Sequence, residues 1–288
     1  MNPYVIYTDS GCDISTERLV EWGVPTSALT FRFEGEDREY SNSDMDVKTF
    51  YDRMRQGGVA KTAAVNSQTF LMAFEQILKE GKDVLYLGFS SGLSTTFNSA
   101  RLASEVLRES YPDRKILVVD TLAASAGQGL LVYLTLQKKN SGATIEEAAA
   151  YAEELKWKLC HWFTVDDLVY LKRGGRISPA AALIGNMLAI KPVLHVDNEG
   201  HLVNVSKVRG RKASLSAIVD RYGQLAEDPA GGTVFISHAD CLNDAQYVAE
   251  LLSTRYGAKV QLFESVGTVI GAHAGPGTFA LFFVGKER

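Results

Sequence analysis

The sequence predicts an α/β protein of two α/β lobes, each a parallel or mixed sheet flanked by helices, with a ligand cleft between them. Three observations carry this. Short runs rich in Val, Ile, Leu and aromatic residues alternate with longer segments of helical period along the 288 residues. Several runs, such as Ile116-Leu117-Val118-Val119, are apolar without interruption, which asks for cover on both faces of a sheet. Past about residue 155 a hairpin pattern follows, with the turn Asp197-Asn198-Glu199-Gly200 between residues 194–196 and 202–205. The expected domains are residues 1–157 and residues 158–288, the second with a mixed sheet.

In chain order, strands are expected at residues 4–8, 29–33, 84–89, 116–120, 159–164, 189–196, 202–205, 233–237, 260–264 and 279–284. Helices are expected at 67–80, 94–110, 124–139, 144–158, 212–226 and 243–256. Thr144 and Glu147 stand three apart before an apolar-periodic run, the spacing of a capping box in which hydroxyl and carboxylate each satisfy a free first-turn amide.

Composition removes several classes. The 30 Lys and Arg against 34 Asp and Glu leave a net charge of −4, and no basic footprint of a nucleic-acid binder is present. No apolar run approaches the roughly 18 residues of a membrane helix, so stable membrane insertion is not expected. The sequence reaches Asp9 without a basic leader, so no signal peptide and a cytoplasmic location are expected. Cys12, Cys160 and Cys241 are scattered with no CxxC, which suits free buried thiols better than disulfides or zinc. The five histidines contain no HxxxH pair, and no metal site is expected.

Ligands of open α/β sheets gather at the carboxyl ends of strands. Three such ends carry small, hydroxyl-rich loops: Thr8-Asp9-Ser10-Gly11, the stretch from Phe89 to Thr96 that includes Ser90, Ser91 and Ser94, and the stretch from Asp120 to Gly129. There is no P-loop, and Gly127-Gln128-Gly129 lacks the third glycine of a dinucleotide fingerprint. Gly88-Phe89-Ser90-Ser91-Gly92 fits GxSxG, and Glu264 and His273 follow in the order of a hydrolase triad, so a serine hydrolase using Ser90 is the second reading. Too few strands precede Ser90 for the usual hydrolase sheet.

Two further segments stand out. His273 sits in Gly271-Ala272-His273-Ala274-Gly275-Pro276-Gly277, whose small residues leave an imidazole room to meet a ligand. Leu171-Lys172-Arg173-Gly174-Gly175-Arg176-Ile177 is a basic, glycine-flexed loop in which Arg173 and Arg176 offer bidentate bonds to phosphate or a partner carboxylate. Residues 180–190 are apolar on nearly every face, as the wall of an apolar ligand channel would be, with Met187 filling gaps.

Together these motifs resemble the DegV family of fatty-acid-binding proteins, which includes the lipid-carrying subunit of bacterial fatty acid kinase. The resemblance runs through Thr8-Asp9-Ser10, Lys61-Thr62, Ser90-Ser91-Gly92-Leu93-Ser94, Asp120 with Ser125-Ala126-Gly127-Gln128-Gly129, the Gly-Gly-Arg-Ile run, Lys191-Pro192 and the His273 segment. It implies two α/β domains with a long-chain fatty acid buried between them and no cofactor beyond that ligand. It implies that Thr62, Ser94 and His273 gather around the carboxylate, with Ser90, Ser91, Gly271 and Ala272 beside them. The family protein is non-catalytic; it presents its acid to a separate kinase catalytic subunit, and the acyl phosphate feeds phospholipid synthesis. Arg173 and Arg176 are then candidates for docking that kinase. After Thr62 this chain reads Ala63-Ala64-Val65-Asn66 where the family usually has Ser-Gln-Pro-Ser, and after Ser94 it reads Thr95-Thr96-Phe97 where the family usually has Gly-Thr-Tyr.

Overall fold

The computed structural model describes residues 3–178 and 189–288. The first sheet is fully parallel, in the order β2-β1-β5-β6. Its strands are β1 (Tyr4–Asp9), the short β2 (Thr26–Ser27), β5 (Asp83–Gly88) and β6 (Ile116–Asp120). A separate antiparallel ribbon joins β3 (Thr30–Phe33) to β4 (Ala60–Ala63). The second sheet is mixed, in the order β11-β10-β12-β7-β8-β9. It comprises β7 (Leu159–Thr164), β8 (Ile190–Val196), β9 (Leu202–Arg209), β10 (Val234–His238), β11 (Val260–Ser265) and β12 (Phe279–Val284), with only β10 and β11 parallel.

Helices fill the space between and outside the sheets. The middle layer holds α5 (Ala126–Asn140) and α6 (Ile145–Leu155), whose apolar side chains join Ile6 and Leu85 of the first sheet to Phe163, Phe235 and Phe282 of the second in one core. The first turns of α5 are buried on every face, as a helix sandwiched between sheets must be. Outside the first sheet lie α3 (Ser67–Lys79) and α4 (Thr96–Ser110), with α2 (Val47–Arg55) nearby, while α1 (Thr16–Trp22) turns Leu19 and Trp22 toward the shared middle core. Outside the second lie α8 (Arg211–Leu225) and α9 (Leu242–Tyr256). Two short helices, α7 (Val169–Arg173) and α10 (Thr268–Ala274), pack against each other.

The pleat explains the continuous apolar strands. On β12, Ala280 and Phe282 face the shared middle core, while Phe279, Leu281 and Phe283 face α8 and α9. The hairpin stands where expected, with Val196 opposite Leu202, and the Thr144–Glu147 capping box is formed. Cys12 and Cys160 are buried free thiols, whereas Cys241 is only partly buried.

The elements absent from the sequence reading are short or glycine-bearing: β2, β4, α1, α2, α7 and α10. The last is a correction with consequences, because His273 belongs to a helix and not to a loop. Asn42 caps α10 from a distant segment: its Oδ1 accepts from Thr268 Oγ1 at 2.9 Å and from Val269 N at 3.2 Å. Gly275, at φ +81°, and Pro276 end the helix.

Candidate functional site

A cavity of about 450 Å³ lies between the two sheets. Its polar lining includes Thr62, Ser91, Ser94, Ser125, Arg176, Ser237 and His273. The remaining wall is mostly apolar, drawn from Leu29, Phe89 and Leu93 on one side and from Phe163, Val269, Ile270 and Phe282 on the other.

Thr62 and His273 meet directly, with Thr62 Oγ1 2.8 Å from His273 Nε2. Helical spacing presents Val269, Ile270 and His273 to the cavity from one face of α10. Burial first, and the nearby Arg176 charge second, push the His273 pKa down to about 4, so the imidazole is neutral at neutral pH. Its proton can be placed by sterics. A methyl in the Cβ position of Gly174 would stand 2.1 Å from Nδ1, so the hydrogen that glycine carries there points at that nitrogen. Nδ1 has no hydrogen-bond partner, and a second hydrogen on it would collide with the first. Nδ1 therefore bears the lone pair, Nε2–H donates to Thr62 Oγ1, and the Thr62 hydroxyl proton is left to be given to a ligand.

Ser94 is held by Thr96. Thr96 N donates to Ser94 Oγ at 3.2 Å, and the two hydroxyls lie 2.9 Å apart. Thr96 Oγ1 also accepts from Val65 N at 3.3 Å, which ties the segment after Thr62 to the loop carrying Ser94. The residues in which this chain departs from the family pattern thus have local roles: Ala63 and Ala64 line the cavity, and Asn66 caps α3 through Thr69 N.

Arg176 does not offer a free fork to a partner. Its Nε and Nη2 donate to Leu93 O at 3.0 and 2.9 Å, and its Nη1 donates to Gly174 O. It is half-buried in the cavity wall, where it contributes a positive charge near His273. Arg173 is the opposite case, an exposed residue near the Tyr170 ring with no carboxylate partner among the described residues.

Ser90, Gly271 and Ala272 do not line the cavity, contrary to the expectation for them. Ser90 is fully buried and donates its hydroxyl to Gly200 O at 2.9 Å, where the β8–β9 turn docks. That packing needs glycine at the turn, because a Cβ on Gly200 would stand 2.2 Å from Ser90 Oγ. Gly271 faces away, against the Tyr51 hydroxyl, and Ala272 lies in the core beside α2. The elements of a hydrolase triad are not assembled either: His273 is paired with Thr62, and Glu264 with Arg18 at 3.3 Å. Among the described residues no His, Cys, Asp and Glu cluster could hold a metal, and no helix is long and apolar enough to cross a membrane. Met187 and most of the expected channel wall at 180–190 lie outside the described residues.

Sequence reasoning missed His161 and Ser237. Each lies on a strand buried on both faces, where alternation gives no sign of which side a residue takes. His161 donates from Nδ1 to Leu159 O at 3.1 Å and turns Nε2 toward Gly127, and burial holds its pKa well below the usual value.

The family model described as "Uncharacterised protein, DegV family" matches residues 3–286. The chain belongs to the DegV family. A DegV domain-containing protein of Clostridium perfringens is 44% identical, over 100% of this chain and 99% of that protein. Among solved DegV structures, a Thermotoga maritima lipid-binding protein is 29% identical with a TM-score of 0.87, covering 99% of each chain. A Thermus thermophilus DegV protein described as binding fatty acid is 28% identical with a TM-score of 0.88, covering 99% of this chain and 100% of that one. The DegV architecture of sheets and helices is therefore that of this chain.

Proposed function

We propose that this DegV protein binds a long-chain fatty acid in the cavity between its sheets, with the carboxylate received by Thr62, Ser94 and His273. The observation that carries the reading is the Thr62–His273 hydrogen bond at the wall of an otherwise largely apolar cavity of about 450 Å³. That volume falls among those of small-molecule sites, roughly 300–1,000 Å³. Burying an acyl chain at roughly 0.8 kcal/mol per CH₂ gives on the order of 11 kcal/mol gross for about fourteen methylenes, before the costs of ordering. A buried carboxylate needs donors. The Thr62 hydroxyl, oriented by His273 Nε2–H, supplies one, Ser94 a second, and the Arg176 charge adds long-range compensation without a direct ion pair. The solved relatives described as binding lipid or fatty acid support the ligand class.

In this reading the protein is a non-catalytic carrier in the cytoplasm that presents its acid to a separate kinase subunit, whose acyl phosphate product enters phospholipid synthesis. Arg173, exposed and at the end of α7, is the residue assigned to that partner. The test is direct. Mass spectrometry of the denatured, purified protein should release fatty acid, or the delipidated protein should take up added octadecanoic acid at one per chain. A protein that neither carries nor takes up the acid would refute the reading, and hydrolysis of short esters lost in Ser90→Ala would replace it with a hydrolase.

A further inference from the structure

Among the described residues that line the cavity, Arg176 is the only one with a charged side chain. The other polar groups of the wall are hydroxyls and the imidazoles of His161 and His273, both kept neutral by burial. Arg176 forms no ion pair among the described residues, and residues 1–2 and 179–188 contain no Asp or Glu. Burial lowers its pKa, and no neighbouring carboxylate offsets that. The nearby acids are otherwise engaged. Asp120, against the loop that carries Ser94, accepts from Ser91 N at 3.2 Å and Leu122 N at 3.1 Å. Asp13, bonded to Ser125, has its carboxyl raised to about 8 by burial and is largely neutral at pH 7.

The hydrogen bonds fix where this charge lies. Arg176 Nε and Nη2 grip Leu93 O, the carbonyl of the peptide that leads into Ser94. Nη1 grips the carbonyl of Gly174, the residue on which His273 Nδ1 rests. The guanidinium is thus anchored one residue from Ser94 and against the residue that His273 touches. Three of its five N–H groups are used, all on neutral carbonyls, and that bridging needs donors but no net charge. A positive charge half-buried without a counter-ion is costly. An anionic ligand head held by Thr62, Ser94 and His273 offsets that cost, and a neutral head of the same shape does not.

We propose that Arg176 is a specificity-determining residue, which makes the cavity select an ionised carboxylate head over a neutral head of the same shape. This rests on the fatty-acid reading above and names the charge state of the ligand. The experiment measures displacement of a fluorescent fatty acid from delipidated protein at about pH 7 by octadecanoate and by octadecanamide, its neutral isostere. The parent should prefer octadecanoate by at least about tenfold, the scale on which a nearby opposite charge moves a carboxyl equilibrium. Arg176→Gln, which keeps donors and removes the charge, should lower that ratio at least about fivefold. Arg176→Lys, which keeps the charge and loses the fork, should hold most of the ratio even where both affinities fall. A merely structural arginine would lower both affinities together and leave the ratio unmoved. Carbon-13 NMR of carboxyl-labelled octadecanoic acid bound to the parent, which needs no variant to fold, should show an ionised head at about pH 7. A neutral bound head, a parent ratio near one, or a ratio unchanged in Arg176→Gln would overturn the inference and leave the fatty-acid reading intact. Binding of neither octadecanoate nor octadecanamide would overturn both.

Discussion

Thr62 and His273, 211 positions apart in the chain, share a 2.8 Å hydrogen bond between a strand of the small antiparallel ribbon and a helix near the C-terminal strand. The bond joins the β3–β4 ribbon to α10, so the proposed carboxylate end of the cavity forms only when both parts are seated. Thr62→Ala and His273→Ala should each weaken octadecanoate binding by about 1–3 kcal/mol. Because the imidazole acts by orienting the threonine hydroxyl, the double variant should lose clearly less than the sum, as titration calorimetry of all four proteins would show. Additive losses would separate the two roles.

Gly174 is the reason that the imidazole fits. Gly174→Ala places a methyl at 2.1 Å from Nδ1, and the ring must move. The backbone at Gly174 is an ordinary helical one, so the substitution adds no conformational strain of its own. Ligand affinity should fall by about 1–3 kcal/mol while circular dichroism stays native.

Acidification tests the neutral imidazole. His273 titrates at about 4 in the fold and near 6.5 when unfolded. The unfolded chain thus takes up a proton that the native site refuses. Stability from this group is complete above about pH 6.5 and is lost as pH falls to about 4, by about 3 kcal/mol in all. Thermal melts should show His273→Gln losing less stability than the parent over that window.

Asp13 works in the opposite sense. Burial raises its carboxyl to about 8, so its contribution is complete below about pH 3.9 and is lost as pH rises through 8. Asn also tolerates the left-handed backbone at φ 50°. Asp13→Asn should therefore gain stability relative to the parent between pH 5 and pH 8, measured by urea denaturation at both.

The two arginines should part company. Arg176→Ala leaves Leu93 O without its two donors and should destabilise the fold by about 1–3 kcal/mol. Arg173→Ala, on an exposed side chain, should leave the melting temperature and the bound lipid unchanged and slow transfer of phosphate from the proposed partner kinase. Equal kinetics in the parent and Arg173→Ala would remove the docking assignment.

Local chemistry made much of this molecule legible before folding. Strand β12 announces itself because both faces of a central strand are covered, and α6 because Thr144 and Glu147 close a cap within one turn. Residues 62, 94 and 273 were legible as a set only through their motifs. What the chain alone could not convey was orientation. Ser90 and Ser94 sit in one loop with similar neighbours, yet the first is spent on the turn at Gly200 and the second faces the cavity. Arg173 and Arg176 share one basic run, yet one is exposed and the other is drawn onto Leu93 O. The GAHAGPG segment looks like a loop, and Asn42, more than two hundred residues earlier, caps it into a helix. Period, capping and turn chemistry act over a few residues and so can be read in order along the chain. Which side of a doubly covered strand a residue takes, and which carbonyl a side chain reaches, depends on surfaces brought together from distant segments, and only packing decides it.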